Sequence, residues 1–576
     1  MRNLDPRAVP QVDRPISEKH LSSVGNFFGL YGGEHIAATE FVIGATLVTW
    51  GCSALTIILG LIIGNLLAML SFTVFTATMG TSTRLTLYSY LKKILGPYAQ
   101  KFYNLVWTLC SVVLAASGVC VSATAIREVI GIPIQHEWYP TSLGFIAIVV
   151  ILGIVVTLIA ANGFEACAKF ASTCVPWMIC IFFVGGLIAL PQLAAATGVE
   201  IHSLGDVWAI FNNNVGSGSG NPNAEPYTIF HVACFAWLCN LAWHVGLNDM
   251  GLFRFAKNYK YGFITAIGMF IGHFFAWVMV AIMGAAASAI LRLSLTTLDS
   301  GAVTNTVLGL AGICAVVIAG WTTANPTIYR CSLSLNTLLP NMKQKNVTYI
   351  IGIVMTILAC FPAMTNIGDI VAMLGWAVVG VGAICIVEHF LFPKIGYTRF
   401  WAMYKEKNIN WAAIITWAVS ILFVVAMRET GLLHRNFIFI PEWIISAVLY
   451  TILAGVMGAR GDYSKEEAEE AQFQKELKAL VDEEANKEMA AGADKQEVAS
   501  GLPKILSTVA YILLAAMVIS AIVTYAGGMA IVTYKAVAII LTVLYFILNG
   551  SSTFIKYKNE AAALLRRFIG IWCNGN

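Results

Sequence analysis

Fourteen apolar runs of helical length constrain this chain more than any other feature. They fall at 24–50, 52–79, 102–126, 141–160, 171–195, 228–253, 262–291, 304–329, 347–363, 367–391, 410–427, 438–458, 505–526 and 530–549, here spans 1 to 14. A bilayer core is crossed by about 20 apolar helical residues, and helices satisfy every backbone polar group within the segment. The chain therefore reads as an all-α, polytopic membrane protein of about 14 transmembrane helices. Composition agrees: of 576 residues, 58% are hydrophobic and only 11% charged, against about a quarter charged in soluble domains. The thirteen cysteines are scattered without a C-x-x-C pair, and read as small core residues rather than a metal or disulfide framework.

Charge distribution orients the spans. With the N-terminus inside, 30 of the 35 lysines and arginines fall in inner segments, as the positive-inside rule requires. Both termini are expected in the cytoplasm, with the protein multi-pass in the cell membrane. Residues 1–22 are a polar tail carrying Pro6, Pro10 and Pro15, so span 1 is the expected insertion signal rather than a cleaved leader. The expected organisation is a core over 23–391 (spans 1–10), spans 11–12 over 392–458, a charged insert over 459–504, spans 13–14 over 505–549, and a cytoplasmic tail over 550–576. Within the insert, Ser464 and Glu467 have capping-box spacing; Phe473, Leu477, Leu480 and Val481 follow helical spacing. An amphipathic cytosolic helix is expected, either docked on the membrane domain or a solvated spacer. The mixed apolar and basic stretch 81–96 suits a helix lying at the interface. Asn212 to Pro222 reads as a flexible outer connection.

Span 1 is unusual, for Gly32-Gly33-Glu34-His35 sits in its middle. A glycine pair weakens a helix, and an intramembrane carboxyl normally faces protein or a water-filled cavity. A broken helix lining a site near mid-bilayer is expected, as in transporters. Glu34 and Glu40 lie about 120° apart on an unbroken helix, so both face one cavity only if the helix breaks between them. Glu34 is a candidate proton carrier, and His35 its candidate partner.

Three stretches carry a family resemblance: Asn325 to Pro340 preceded by Trp321-Thr322-Thr323, Gly382 to Tyr397 followed by Asn410-Trp411, and Asn248 to Lys257. Together they resemble the purine/cytosine permease family of nucleobase–cation symporters, over roughly residues 20–430. The resemblance implies a five-plus-five inverted repeat, spans 1–5 and 6–10, with helices 1 and 6 unwound at the substrate site and extra C-terminal helices beyond. It implies substrate contacts from Gly33 in span 1, Trp107 and Ser111 in span 3, and Asn325 in span 8. From span 6 it implies Trp237 or Trp243 as the second stacking face, with Asn240 and His244 beside them. It also implies a sodium site of the Tyr31, Glu34 and Ala319 carbonyls with the Thr322 and Thr323 hydroxyls. Against that reading, membrane threonines often bond back to the preceding turn.

The chain departs from the family pattern in three places. Ser111 stands where glutamine is usual, Ala324 where asparagine is usual, and Asp249 and Arg254 are five apart. Pro326 lacks an N–H and is expected to kink span 8.

The expected function is symport of a nucleobase-like heterocycle (purine, pyrimidine, hydantoin or vitamin precursor), with Na+ or H+ as coupling ion and no other cofactor. The alternative keeps the fold and changes the cargo to an amino acid or osmolyte. No H-E-x-x-H, nucleophile elbow or Walker sequence is present, so no catalytic residue is assigned. The expected partners are a small-molecule substrate and the lipid bilayer, with no nucleic acid; the sequence assigns no oligomeric state.

Overall fold

The computed structural model describes residues 5–135, 137–216, 226–492 and 501–573. Among them eleven helices are long and apolar enough to cross a membrane, and spans 1, 6 and 9 are met by shorter apolar helices, Thr39–Thr49, Ile229–Leu238 and Gln344–Ala359. The chain is an all-α polytopic membrane protein. Its five-plus-five core has broken first and sixth spans, and further helices follow it.

Span 1 runs as a helix from Val24 to His35, is interrupted at Ile36 and Ala37, and resumes over Ala38–Thr46. The break thus lies after the glycine pair, not at it. The glycines serve close packing instead. A Cβ on Gly32 would come within 2.9 Å of Val175, and one on Gly33 within 2.5 Å of the Ala171 Cβ. Gly33 therefore faces span 5, Gly163–Thr197. Span 6 is helical over Ile229–Leu238, makes one turn over Leu241–His244, and opens again before Met250–Phe253. Leu247 has a left-handed φ of 63° in that opening, a conformation that is a genuine outlier for a bulky residue and marks a constrained backbone. Span 7, Tyr259–Leu291, contains a wide π-type stretch over Ile267–Ala276.

Span 8 is longer than its hydropathy suggests. A helix over Ser300–Leu308 precedes a continuous helix, Leu310–Asn336, which passes through Pro326. It packs along span 3, Pro97–Val129. Arg330, counted from sequence among the inner-loop cations, lies inside this helix and is 1% exposed.

The elements at the N-terminal end of span 1 form one assembly. The helix Leu87–Leu95 is almost wholly buried beneath the core rather than lying at an interface. The charged helix Ser464–Gly492 docks over it: Lys93 meets Glu470 at 2.7 Å, Arg14 meets Glu484 at 2.9 Å, and the Ser17 hydroxyl donates to Asp482 at 2.6 Å. The Ser464 amide and hydroxyl both donate to Asp462, so Asp462, rather than a Ser464–Glu467 box, tidies the start of this helix. The connection between spans 5 and 6 contains a helix, Leu204–Asn214, capped by Ser203 and Asp206; residues 217–225 of the Gly/Asn-rich stretch lie outside the described residues. Spans 13 and 14 pair with each other and dock on span 5, where Trp177 donates to the Thr542 hydroxyl at 3.1 Å and the Tyr545 hydroxyl to the Thr173 carbonyl at 2.8 Å. The last helix continues from Ile531 to Cys573, so the expected C-terminal tail extends span 14.

Candidate functional site

The breaks in spans 1 and 6 face each other across a cavity of about 40 Å³, whose lining includes Glu34, His35, Glu40, Asn240, Trp243 and His273. That is far below the ~300 Å³ of a small-molecule pocket, so the site is closed around its own side chains. Glu34 and Glu40 both reach it, because the helix breaks between them.

On one side of the cavity lies a charge cluster. Arg330 holds Glu34 with two parallel bonds of 2.6 and 2.7 Å, the fork geometry that makes such pairs strong. The same guanidinium stands 2.7 Å from an Asp249 oxygen, whose other oxygen accepts the Tyr31 hydroxyl at 2.7 Å. Spans 1, 6 and 8 are thereby tied together. His35 is not the partner of Glu34. Arg254 turns away from Asp249, its Nε donating to the Gly251 carbonyl at 3.2 Å. Sequence reasoning missed Arg330 because it stands near the predicted end of span 8. Its signal was its position seven residues after Thr323, hence on the same helix face, opposite two acids in need of a counter-charge.

On the other side lies a hydrogen-bonded chain. His35 Nδ1 faces the Tyr31 carbonyl at 3.0 Å and Nε2 faces Asn240 Oδ1 at 3.0 Å. Asn240 Nδ2 faces His273 Nδ1 at 2.9 Å, and His273 Nε2 lies 3.6 Å from Glu40 Oε1. Glu40 also accepts from the Thr39 hydroxyl at 2.9 Å and from the Trp277 indole. His273 was not singled out from the sequence, although a histidine within an apolar span is a functional flag.

The aromatic residues divide. Trp243 lines the cavity and meets Trp107 edge-on, ring centres 6.5 Å apart. Trp107 is buried and its indole donates to the Tyr88 hydroxyl at 2.9 Å. Trp237 points elsewhere, donating to the Ser71 hydroxyl at 3.2 Å and packing on Phe439. His244 is fully buried against Phe72, its Nε2 at 3.1 Å from the Trp237 carbonyl. The Ser111 hydroxyl donates back to the Trp107 carbonyl at 2.6 Å. Asn325 is 1% exposed, and neither end of its amide meets a protein partner. Such a group ordinarily has a reason.

The expected sodium ligands come together only in part. The Thr322 and Thr323 hydroxyls both donate to the Ala319 carbonyl at 3.0 Å, and Thr323 also lies 3.4 Å from the Glu34 carbonyl. The Tyr31 carbonyl is taken by His35. The threonines thus bond back along their own helix.

No family model and no curated protein matches the sequence. Solved structures do match the fold. The nucleobase-cation-symport-1 family transporter Mhp1, closed with bromovinylhydantoin bound, aligns with a TM-score of 0.62 at 14% identity, over 82% of this chain and 99% of that one. Its inward-facing form aligns at 0.57 and 14% identity, over 79% and 94%. A Na+-coupled sialic acid symporter, outward-open with substrate bound, aligns at 0.55 and 15% identity, over 75% and 90%. At such identities the likeness is one of fold.

Proposed function

We propose that this chain is a secondary active transporter that moves a nucleobase-like heterocycle together with a cation by alternating access, in the cell membrane with both termini in the cytoplasm. One observation carries the reading: two broken helices meet at a buried cavity with an indole and a row of polar side chains on its wall. Broken helices expose backbone polar groups where only a ligand or protein interior can satisfy them. Trp243 offers an aromatic face, and Asn240 an amide edge that pairs with the donors and acceptors of a planar ring. The unpartnered Asn325 amide supports a further polar contact from span 8, since an orphaned buried amide costs about 1–3 kcal/mol that a ligand can relieve. Fold likeness to a nucleobase-cation-symport-1 family transporter with bromovinylhydantoin bound and to a Na+-coupled sialic acid symporter supports cation-coupled transport as the class.

Uptake into proteoliposomes from a pool of nucleobases, hydantoins and amino acids, under an imposed sodium or proton gradient, tests this. Accumulation of a heterocycle, lost in Trp243→Ala, is the expected result. Amino-acid uptake without heterocycle uptake overturns the substrate assignment and leaves the fold.

A further inference from the structure

The chain of side chains beyond the cavity has a proton count that follows from its geometry. An amide has one donating and one accepting end, and a neutral imidazole one of each. Place the Asn240 oxygen toward His35. His35 then faces two acceptors, the amide oxygen and the Tyr31 carbonyl, and must donate from both nitrogens. Turn the amide around, and His273 must donate from Nδ1 to Asn240 while Nε2 faces the Glu40 carboxylate. Now His273 carries both protons. Either way, two neutral imidazoles and an ionised Glu40 leave one contact in which acceptor faces acceptor. One additional proton completes the chain: it falls on His35 with the amide oxygen toward that ring, and on His273 or Glu40 with the amide turned.

Electrostatics places that proton at the His273 end. Glu40 is 2% exposed, and among the described residues no lysine or arginine pairs with it. An unpaired carboxylate at membrane depth is costly, and His273 is the group that can supply the missing charge. The other titratable groups around the pair are already committed or remote. Glu34 and Asp249 share Arg330, His244 is bonded to span 6 backbone, and Cys239 is a neutral neighbour in the cavity wall. Spans 3, 8 and 10 contribute Leu114, Thr323 and Val371 to that wall, none of them titratable near neutral pH.

The backbone holds the pair in place. The π-type turn carrying His273 presents its ring stacked on Trp277, centres 4.5 Å apart, and the His273 carbonyl accepts from Asn65. Such turns are frequent at functional sites.

We propose that His273 and Glu40, linked to the cavity through Asn240, form the proton-binding site that couples transport, in place of Glu34. This rests on the transporter reading. Glu34 is unsuited to the task, because a permanent cation grips both its oxygens. Substrate entering at Asn240 turns or displaces the amide, and so decides whether the proton on His273 is held or released.

The test uses the full-length protein in lipid nanodiscs with 13C-labelled histidine rings. The resonance absent from His273→Gln identifies the ring. It is expected to report a doubly protonated ring while Glu40 is present, and that protonated fraction is expected to fall several-fold in Glu40→Gln. A neutral ring, or one indifferent to Glu40→Gln, overturns the proposal. Should His273→Gln not fold, Asn240→Ser, which removes the bridging amide, is expected to shift the same resonance. A second arm pulses pyranine-loaded proteoliposomes with uracil, adenine or hydantoin. Interior acidification that accompanies uptake and is lost in Glu40→Gln supports coupling through this pair. Heterocycle accumulation on a sodium gradient without acidification overturns the coupling role while leaving the transporter reading intact. A doubly protonated His273 in a protein that takes up no heterocycle supports the proton site and overturns the substrate reading alone.

Discussion

Glu34 and Glu40 are six residues apart on one broken helix and line one cavity, yet their surroundings differ in kind. Glu34 is held by Arg330, always charged and pre-formed for a two-point grip. Glu40 is held by an indole, a hydroxyl and a histidine, none of which carries a fixed charge. The first arrangement is closed by a cation that does not titrate. The second is complete only with a proton aboard. One helix break thus separates a fixed electrostatic bolt from a responsive one.

The largest way to break this contrast is Arg330→Met. It strands the buried Glu34 and Asp249 without a counter-charge, and a broken buried pair costs about 3–5 kcal/mol. Thermal unfolding in detergent is expected to show a severe loss, whereas Glu40→Gln, which keeps shape and acceptor, is expected to melt close to the parent. Equal losses would erase the distinction between the two acids.

Next is the seam that holds His35 in place. A Cβ on Gly272 would lie 1.8 Å from the His35 carbonyl oxygen, a backbone atom that cannot swing aside, while one on Gly251 meets only a Leu333 methyl at 3.6 Å. Gly272→Ala is expected to cost about 1–3 kcal/mol by overpacking, and Gly251→Ala to be nearly neutral in the same melt. A tolerated Gly272→Ala would mean that spans 1 and 7 separate easily here.

Thr323→Ala sharpens the comparison from the cation side. It removes one back-bond to Ala319 and is expected to cost about 0.5–1.5 kcal/mol while leaving pH-driven uptake close to the parent. Abolished uptake with an intact melt would return the coupling to the threonine pair.

The smallest effect is at the docked charged helix, where Glu470→Gln removes the Lys93 ion pair. Such pairs contribute about 0–1 kcal/mol and weaken with salt. Limited proteolysis of the 459–504 segment is expected to speed up slightly in the variant and, in the parent, with added salt.

Much of the membrane architecture was legible because hydropathy and length are local quantities: each of the fourteen runs has its helix or pair of helix segments. The break in span 1 was legible too, though not its position. Adjacent glycines weaken a helix and also let two helices touch, and here the neighbouring Ala171 and Val175 chose the second use. The site was only partly legible. Trp243 and Asn240 reach the cavity, while Trp237, His244, Ser111 and Gly33 serve packing or the backbone around it.

The sequence by itself determined that the chain crosses a membrane many times, that its first span carries charge at depth, and that acids at 34 and 40 share a cavity only across a break. Partnership was decided by tertiary structure. Arg330, Asp249, Asn240 and His273 are each some two hundred residues or more from the span-1 group they meet. A charge pair or hydrogen bond is set by distance and direction, and neither is encoded by spacing within a single helix. Whether a buried acid is locked or left to bind a proton depends on which partner the packed helices bring to it.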